Sequence, residues 1–236
     1  MDWSKQESVN KLLVGLLIAT LFIVGFNSVR LSLLDDVASI ATNADSSGLT
    51  GAAIGSNSGS SSSILPSGVP AIYGSELKIR YDDVSAADPA KADQTIRTLG
   101  FFDQQITLSG PEKDRYINIL YTLNNGISCE YCCGARAVIF ADGQPACGCA
   151  HSYAMRGLTK YLLTKHSSEY TDEQILEEVG KWKALFFPGQ MELKAQALAS
   201  QGLELNFINL ASNKYRGLEQ SLSSAGGKSS GMVGGC

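Results

Sequence analysis

Apolar positions along this chain fall into three regimes. From Leu12 to Val29 there is no charge, and the run LLVGLLIATLFIVGF is apolar on every face. From Ser46 to Ser75 there is again no charge, but Gly, Ser and Ala dominate as far as Ser63. Beyond that point the pattern becomes periodic. Leu77, Ile79 and Tyr81 alternate, which predicts a short strand over 76–81. Asp88-Pro89 supplies a cap and a first-turn proline for a helix that Gly100 ends. A second helix is expected from Pro111 to Asn124, burying Ile117, Leu120 and Tyr121, with Asn125-Gly126 as its stop. Another is expected over 152–165, with Met155, Leu158 and Leu162 on one side. Thr171-Asp172-Glu173-Gln174 reads as a capping box opening a helix that turns Ile175, Val179, Trp182 and Phe186 inward. Pro188-Gly189 breaks that helix. Met191–Leu222 reads as further helix, with a strand over 203–210 as the alternative.

The uncharged run at the start sets the expected location. At 1.5 Å per residue, positions 12–29 reach about 27 Å, the short end of a bilayer span. A cleaved signal peptide is the competing reading, but neither a small-x-small site nor a lipobox cysteine follows. Lys5 and Lys11 precede the run, and after Arg30 no Lys or Arg occurs until Lys78, which favours a cytoplasmic N-terminus. The expected organisation is a cytoplasmic N-terminus (1–11), a transmembrane anchor (12–34) and a flexible Ser/Gly-rich stalk (35–67). An extracytoplasmic Cys-motif domain (68–222) and a Gly/Ser tail (223–236) ending in Cys236 follow. The expected fold is mainly α with a small β-hairpin (α+β), behind an N-terminal transmembrane helix in the cell membrane.

The chemistry concentrates in one place. Cys129-Glu130-Tyr131-Cys132-Cys133 and Cys147-Gly148-Cys149-Ala150-His151 form C-x-x-C-C and C-x-C-x-H, separated by thirteen residues. Val138-Ile139-Phe140 is β-prone and Asp142-Gly143 is a hairpin turn signal, so the spacer folds the second pair back onto the first. A two-residue loop would pair Ala141 with Gln144 and Val138 with Cys147. Pro145 weakens that pairing. Cys147 and Cys149, two apart, share one face of an extended strand, whereas adjacent Cys132 and Cys133 would point apart. The preferred ligand set is Cys129, Cys132, Cys147 and Cys149, with Cys133 and His151 in reserve. Four thiolates suit zinc, the favoured ion, or an iron–sulfur cluster; fewer thiolates with His151 and Met155 suit copper(I).

Two other functions compete with metal binding. Six cysteines in an extracytoplasmic domain are equally an even set of disulfides that staple a structural or adhesion protein. A thiol–disulfide oxidoreductase would use Cys129 and Cys132 as nucleophile and resolving thiol. No catalytic residue is assigned. Cys236 is a candidate for an intermolecular disulfide, a protein-partner contact or an added ligand. The net charge of −4, without a basic run, argues against nucleic acid. Trp182, Phe186 and Phe187 read as core, His166 as a structural group at a helix end, and Glu177-Glu178 as solvated charges.

The order helix, Cys motif, helix, T-D-E-Q-I-L helix resembles two extracytoplasmic families over about Ile117–Phe187. Pro145-Ala146-Cys147-Gly148-Cys149 is similar to part of the motif that names the bacterial PCYCGC lipoproteins. Cys129 and Cys132, with Asp172-Glu173-Gln174-Ile175-Leu176, resemble the C-x-x-C and second-helix opening of the thiol-handling subunit of cytochrome c maturation. Cys133, Cys147 and Cys149 are additional to that second pattern. The resemblance implies a location outside the membrane more than any reaction.

Overall fold

A computed structural model describes residues 64–223 and 231–234. The run 12–29, the segment up to Ser63 and Cys236 lie outside the described residues. The helices are α1 (Gly74–Leu77), α2 (Pro89–Gln105), α3 (Gly110–Ile117), α4 (Ala150–Lys165), α5 (Asp172–Phe186), α6 (Pro188–Ser200), α7 (Phe207–Ala211) and α8 (Gln220–Ser223). A π turn, Asn118–Thr122, carries α3 toward the cysteine segment.

Helix α2 lies along α4, and α5 packs against α4 and α7. Asp88 caps α2 through the Lys91 N–H, with Pro89 in the first turn. The capping box on α5 is formed as expected: the Thr171 N–H donates to Gln174 Oε1 (2.8 Å), and the Gln174 N–H donates to Thr171 Oγ1 (3.3 Å). Ile175, Val179, Trp182, Phe186 and Phe187 are all buried beneath it. Ile64 and Leu65 already pack against this core.

Gly100 does not end α2, which runs five residues further to Gln105. It is there for proximity, because a Cβ at Gly100 would sit 3.2 Å from the Tyr153 Cβ. Gly157 on α4 is tighter still, with a Cβ only 2.1 Å from the Leu99 carbonyl oxygen. Gly157→Ala would gain about 1 kcal/mol of helix propensity. Prying two helix backbones apart costs about 3 kcal/mol, so a net loss of about 2 kcal/mol is expected in urea denaturation.

The expected α+β class with a hairpin is corrected to a helical fold. Among the described residues there is no strand, only the isolated antiparallel bridges Ile127↔Ser212 and Ile139↔Pro145. The Asp-Gly turn forms, but as a three-residue loop: the Phe140 N–H donates to the Gln144 carbonyl (2.8 Å), and Val138 faces Ala146 rather than Cys147. Pro145 has no N–H to extend the ladder, and Gly143 at φ +85° absorbs the extra residue. The strand expected over 76–81 is a helical turn that Lys78 ends at φ 54°, followed by a 3-10 turn over Tyr81–Asp83.

The expectation of a transmembrane helix with an extracytoplasmic domain is corrected as well. Among the described residues no helix is long and apolar enough to cross a membrane. The longest, α2 at 17 residues, carries Lys91, Asp93, Arg97 and Asp103. The anchor expected over 12–34 lies outside the described residues.

Glu178 is not a solvated charge. Its carboxylate accepts from the hydroxyls of Tyr73 (2.9 Å) and Tyr81 (2.7 Å) and from Lys181, while the Trp182 indole donates to the Tyr73 oxygen. This network ties the segment before α2 to α5.

Candidate metal centre

Three local devices bring the cysteines together. The first is the approach to Cys129. Gly126, at φ +74°, passes so close to the Leu120 carbonyl that a Cβ would overlap it. Asn213 then clamps the segment: its backbone N–H donates to the Gly126 carbonyl, and its side-chain amide donates to the carbonyls of Asn125 and Arg136. The second device is the Asp-Gly turn. The third is the start of α4, where Cys149 is the N-cap and accepts from the Ser152 N–H at 3.4 Å.

The result is a compact sulfur group. Cys129 Sγ lies 3.1 Å from Cys149 Sγ, and Cys147 Sγ lies 3.6 Å from Cys149 Sγ. The three sulfurs all lie within 4.8 Å of one another, and all three residues are buried. Cys133 is solvent-exposed and joined to Cys147 by a disulfide. Ser152 Oγ touches the pair as well, 3.0 Å from Cys129 and 3.4 Å from Cys149.

Cys129 and Cys149 share a proton unequally. The hydrogen bond from Cys129, with further help from His151 and Ser152, outweighs burial and holds the Cys149 thiol down, to about 3. The same hydrogen bond, with burial, pushes Cys129 up. Either sulfur can donate in this contact, and the opposite directions of the two shifts favour Cys149 as the acceptor. A thiolate at a helix N-terminus is in its favourable place.

The expected ligands divide as follows. Cys129, Cys147 and Cys149 converge, and Cys133 joins them through its bond to Cys147. Cys132, half-buried against the core, is not one of the converging three. The sulfur beside that of Cys129 is the Cys149 one, at 3.1 Å. Glu130, between Cys129 and Cys132, adopts a left-handed φ of 59°, which rotates the chain between those two cysteines. His151, fully buried, packs tilted against Phe186 and edge-on to Phe187, and its Nε2 is 2.8 Å from the Val233 carbonyl.

Charged groups invisible as a motif surround the sulfurs. Glu130 Oε2 meets two fully buried lysines, Lys183 at 3.1 Å and Lys194 at 3.4 Å, and its Oε1 accepts from the Gly217 N–H. Lys183 also donates to the Ala211 carbonyl. Burial holds the Lys183 ammonium down to about 8, against the pull of Glu130. On the other side, fully buried Arg156 pairs with Asp103 (2.8 Å) and donates to the carbonyls of Cys147 (2.7 Å) and Val138 (3.3 Å). A signal for the lysines does exist in the sequence. Lys183 falls four residues after Val179 on the apolar stripe of α5, and Lys194 falls between Met191 and Leu198 on that of α6.

Comparison with family models, curated proteins and solved structures finds no match for this chain. The likeness to the two Cys-motif families thus rests on the residues quoted above. The site must speak for itself. It contains a buried Cys129/Cys147/Cys149 group whose spacing could hold a metal ion, with Cys147 disulfide-bonded to Cys133 in this structure.

Proposed function

We propose that this chain binds one soft metal ion, zinc in preference to copper(I) or an iron–sulfur cluster, for structure, sequestration or delivery. Cys129, Cys147 and Cys149 are three ligands, and Cys133 is the fourth once its bond to Cys147 is reduced by an external dithiol, which supplies two electrons and two protons and is itself oxidised to a disulfide. The observation that carries this reading is the convergence of three buried sulfurs from both sides of the Asp-Gly turn. Four sulfurs at about 2.3 Å from a tetrahedral zinc stand about 3.8 Å apart, close to the 3.1 and 3.6 Å separations found here. Four protein ligands would close the coordination shell, which suits holding an ion rather than activating water on it.

Elemental analysis and thiol counting on reduced, anaerobically purified protein test the reading. One zinc per chain is expected. Cys129→Ser and Cys149→Ser should each weaken binding, measured against a chromophoric chelator, by about 100-fold or more, since even outer-shell changes cost about 10–100-fold. Wild-type affinity in both variants would refute the ligand set.

A second reading is favoured by the disulfide beside a thiol–thiolate pair. The Cys149 thiolate, 3.6 Å from Cys147 Sγ, is placed to attack that sulfur and release Cys133 as a thiolate. Cys129, deprotonated, then attacks Cys149 and releases Cys147. The net change moves one disulfide from Cys133–Cys147 to Cys129–Cys149, with no electrons gained or lost. A metal-free protein whose disulfide exchanges between these two pairs, followed by peptide mapping, would select this reading.

A further inference from the structure

A cavity of about 340 Å³ lies between the end of α2, α3, the Asp-Gly turn and α4, at the small end of the range for ligand sites. Its charges do not balance. Asp103 is the one acidic side chain that lines it, and both carboxylate oxygens are taken, Oδ2 by Arg156 (2.8 Å) and Oδ1 by Lys160 (2.8 Å). Two cations on one carboxylate leave a positive charge over. Lys113, on the first turn of α3, adds a second, because among the described residues it has no ion-pair partner. Its stem lies along the turn, where a Cβ at Gly143 would sit 3.5 Å from the Lys113 Cε. Glu112, Asp114 and Asp142 are neighbours in sequence, and none of them lines the cavity.

Tyr116 adds a neutral donor. The residue is 3% exposed, and no group among the described residues forms a hydrogen bond with its hydroxyl. Burial and the Asp103 charge push its ionisation well above the usual phenol range, so the O–H keeps its proton. A hydroxyl so enclosed gains from an acceptor that a ligand brings. Ile106, Leu108 and Pro145 make the apolar part of the wall.

We propose that this cavity binds a small organic anion, a carboxylate or a phosphate monoester. Its oxygens accept from Lys113, Lys160 and the Tyr116 hydroxyl, and its apolar body lies on Ile106, Leu108 and Pro145. The surplus of positive charge repels a cation and goes unanswered by a neutral ligand. Lysine ammoniums are point charges that impose no planar geometry, so the two headgroups share one chemistry here. The site stands whether the sulfurs hold a metal or a disulfide.

Phenyl phosphate and hexanoate are the probes, with inorganic phosphate as a headgroup alone, each titrated into the full chain and followed by amide NMR. At least one organic probe should shift the Gly143 and Gln144 amides saturably, at millimolar concentration. Tighter binding of phenyl phosphate assigns a phosphate monoester, and tighter binding of hexanoate assigns a carboxylate. Lys113→Gln and Tyr116→Phe should each weaken the better probe by about ten-fold, the worth of one charge-assisted hydrogen bond. Neither side chain has a hydrogen-bond or ion-pair partner to lose, so thermal unfolding of the unliganded variants should match wild type. Should Tyr116→Phe fail to fold, Lys113→Gln decides alone. Wild-type affinity in the folded variants would overturn the site, as would the absence of a saturable shift with either organic probe. Inorganic phosphate bound as tightly as phenyl phosphate would overturn the organic character of the ligand.

Discussion

Arg156→Met should destabilise the protein by about 3–5 kcal/mol and loosen Cys147 from the sulfur group. The guanidinium is fully buried, pairs with Asp103 and satisfies the carbonyls of Cys147 and Val138. Methionine fills the volume but leaves the buried Cys147 carbonyl without its donor, at about 1–3 kcal/mol, while the Val138 carbonyl keeps the Ala146 N–H; Asp103 retains Lys160 as its remaining ion pair. Arg156→Lys should recover little, since one ammonium cannot span a carboxylate and two carbonyls set in a planar fork. Arg156→Met with Asp103→Leu should recover more than the sum of the single changes predicts, because the carboxylate that lost its guanidinium is gone. Urea denaturation of the four proteins gives the coupling. Additivity within about 0.5 kcal/mol would show that the pair does not act as a unit.

The second large effect is expected at Glu130. Glu130→Gln leaves two fully buried ammonium groups, Lys183 and Lys194, without their carboxylate, and a loss of about 3–5 kcal/mol is expected. The loss should depend on pH. Lys183 is already held down to about 8 in the folded protein, against about 10.4 unfolded, so between these values the unfolded chain binds more protons and stability rises with pH. Removing the carboxylate pushes the folded value lower, which widens that window downward. The gap between variant and wild type should therefore be largest below the variant's lowered value and close as the pH rises to about 8. A gap that does not change with pH would mean that the charge on Lys183 does not depend on Glu130.

Helices were legible where one local signal set both pattern and boundary. The Thr171 capping box and the Asp88-Pro89 start stand as read. The readings that failed were those decided by contacts distant in sequence. Gly100 looks like a stop until Tyr153 is seen against it, and Glu178 looks solvated until two tyrosines arrive from about a hundred residues away. The hairpin turn was visible, but Pro145 and Gly143 decided its register and kept it from growing into strands.

At the candidate site, spacing correctly brought Cys147 and Cys149 onto Cys129. It preferred Cys132 to Cys133, and the structure brings Cys133 to the group instead. That choice depends on the left-handed Glu130, and Glu130 is held by lysines from two helices whose place in the interior is a tertiary fact. His151 was legible as part of the motif, but its partner is a backbone carbonyl 82 positions away, which leaves no trace in residue identity.

Chain order has a consequence for biosynthesis. Every cysteine from Cys129 to Cys149 is translated before Lys183 and Lys194, so the nascent thiols leave the ribosome without the cations that later neighbour them. During that interval they meet whatever oxidant or ion the compartment holds. The metal or disulfide content of the finished protein is thus open to being set by the order of translation as well as by equilibrium affinity.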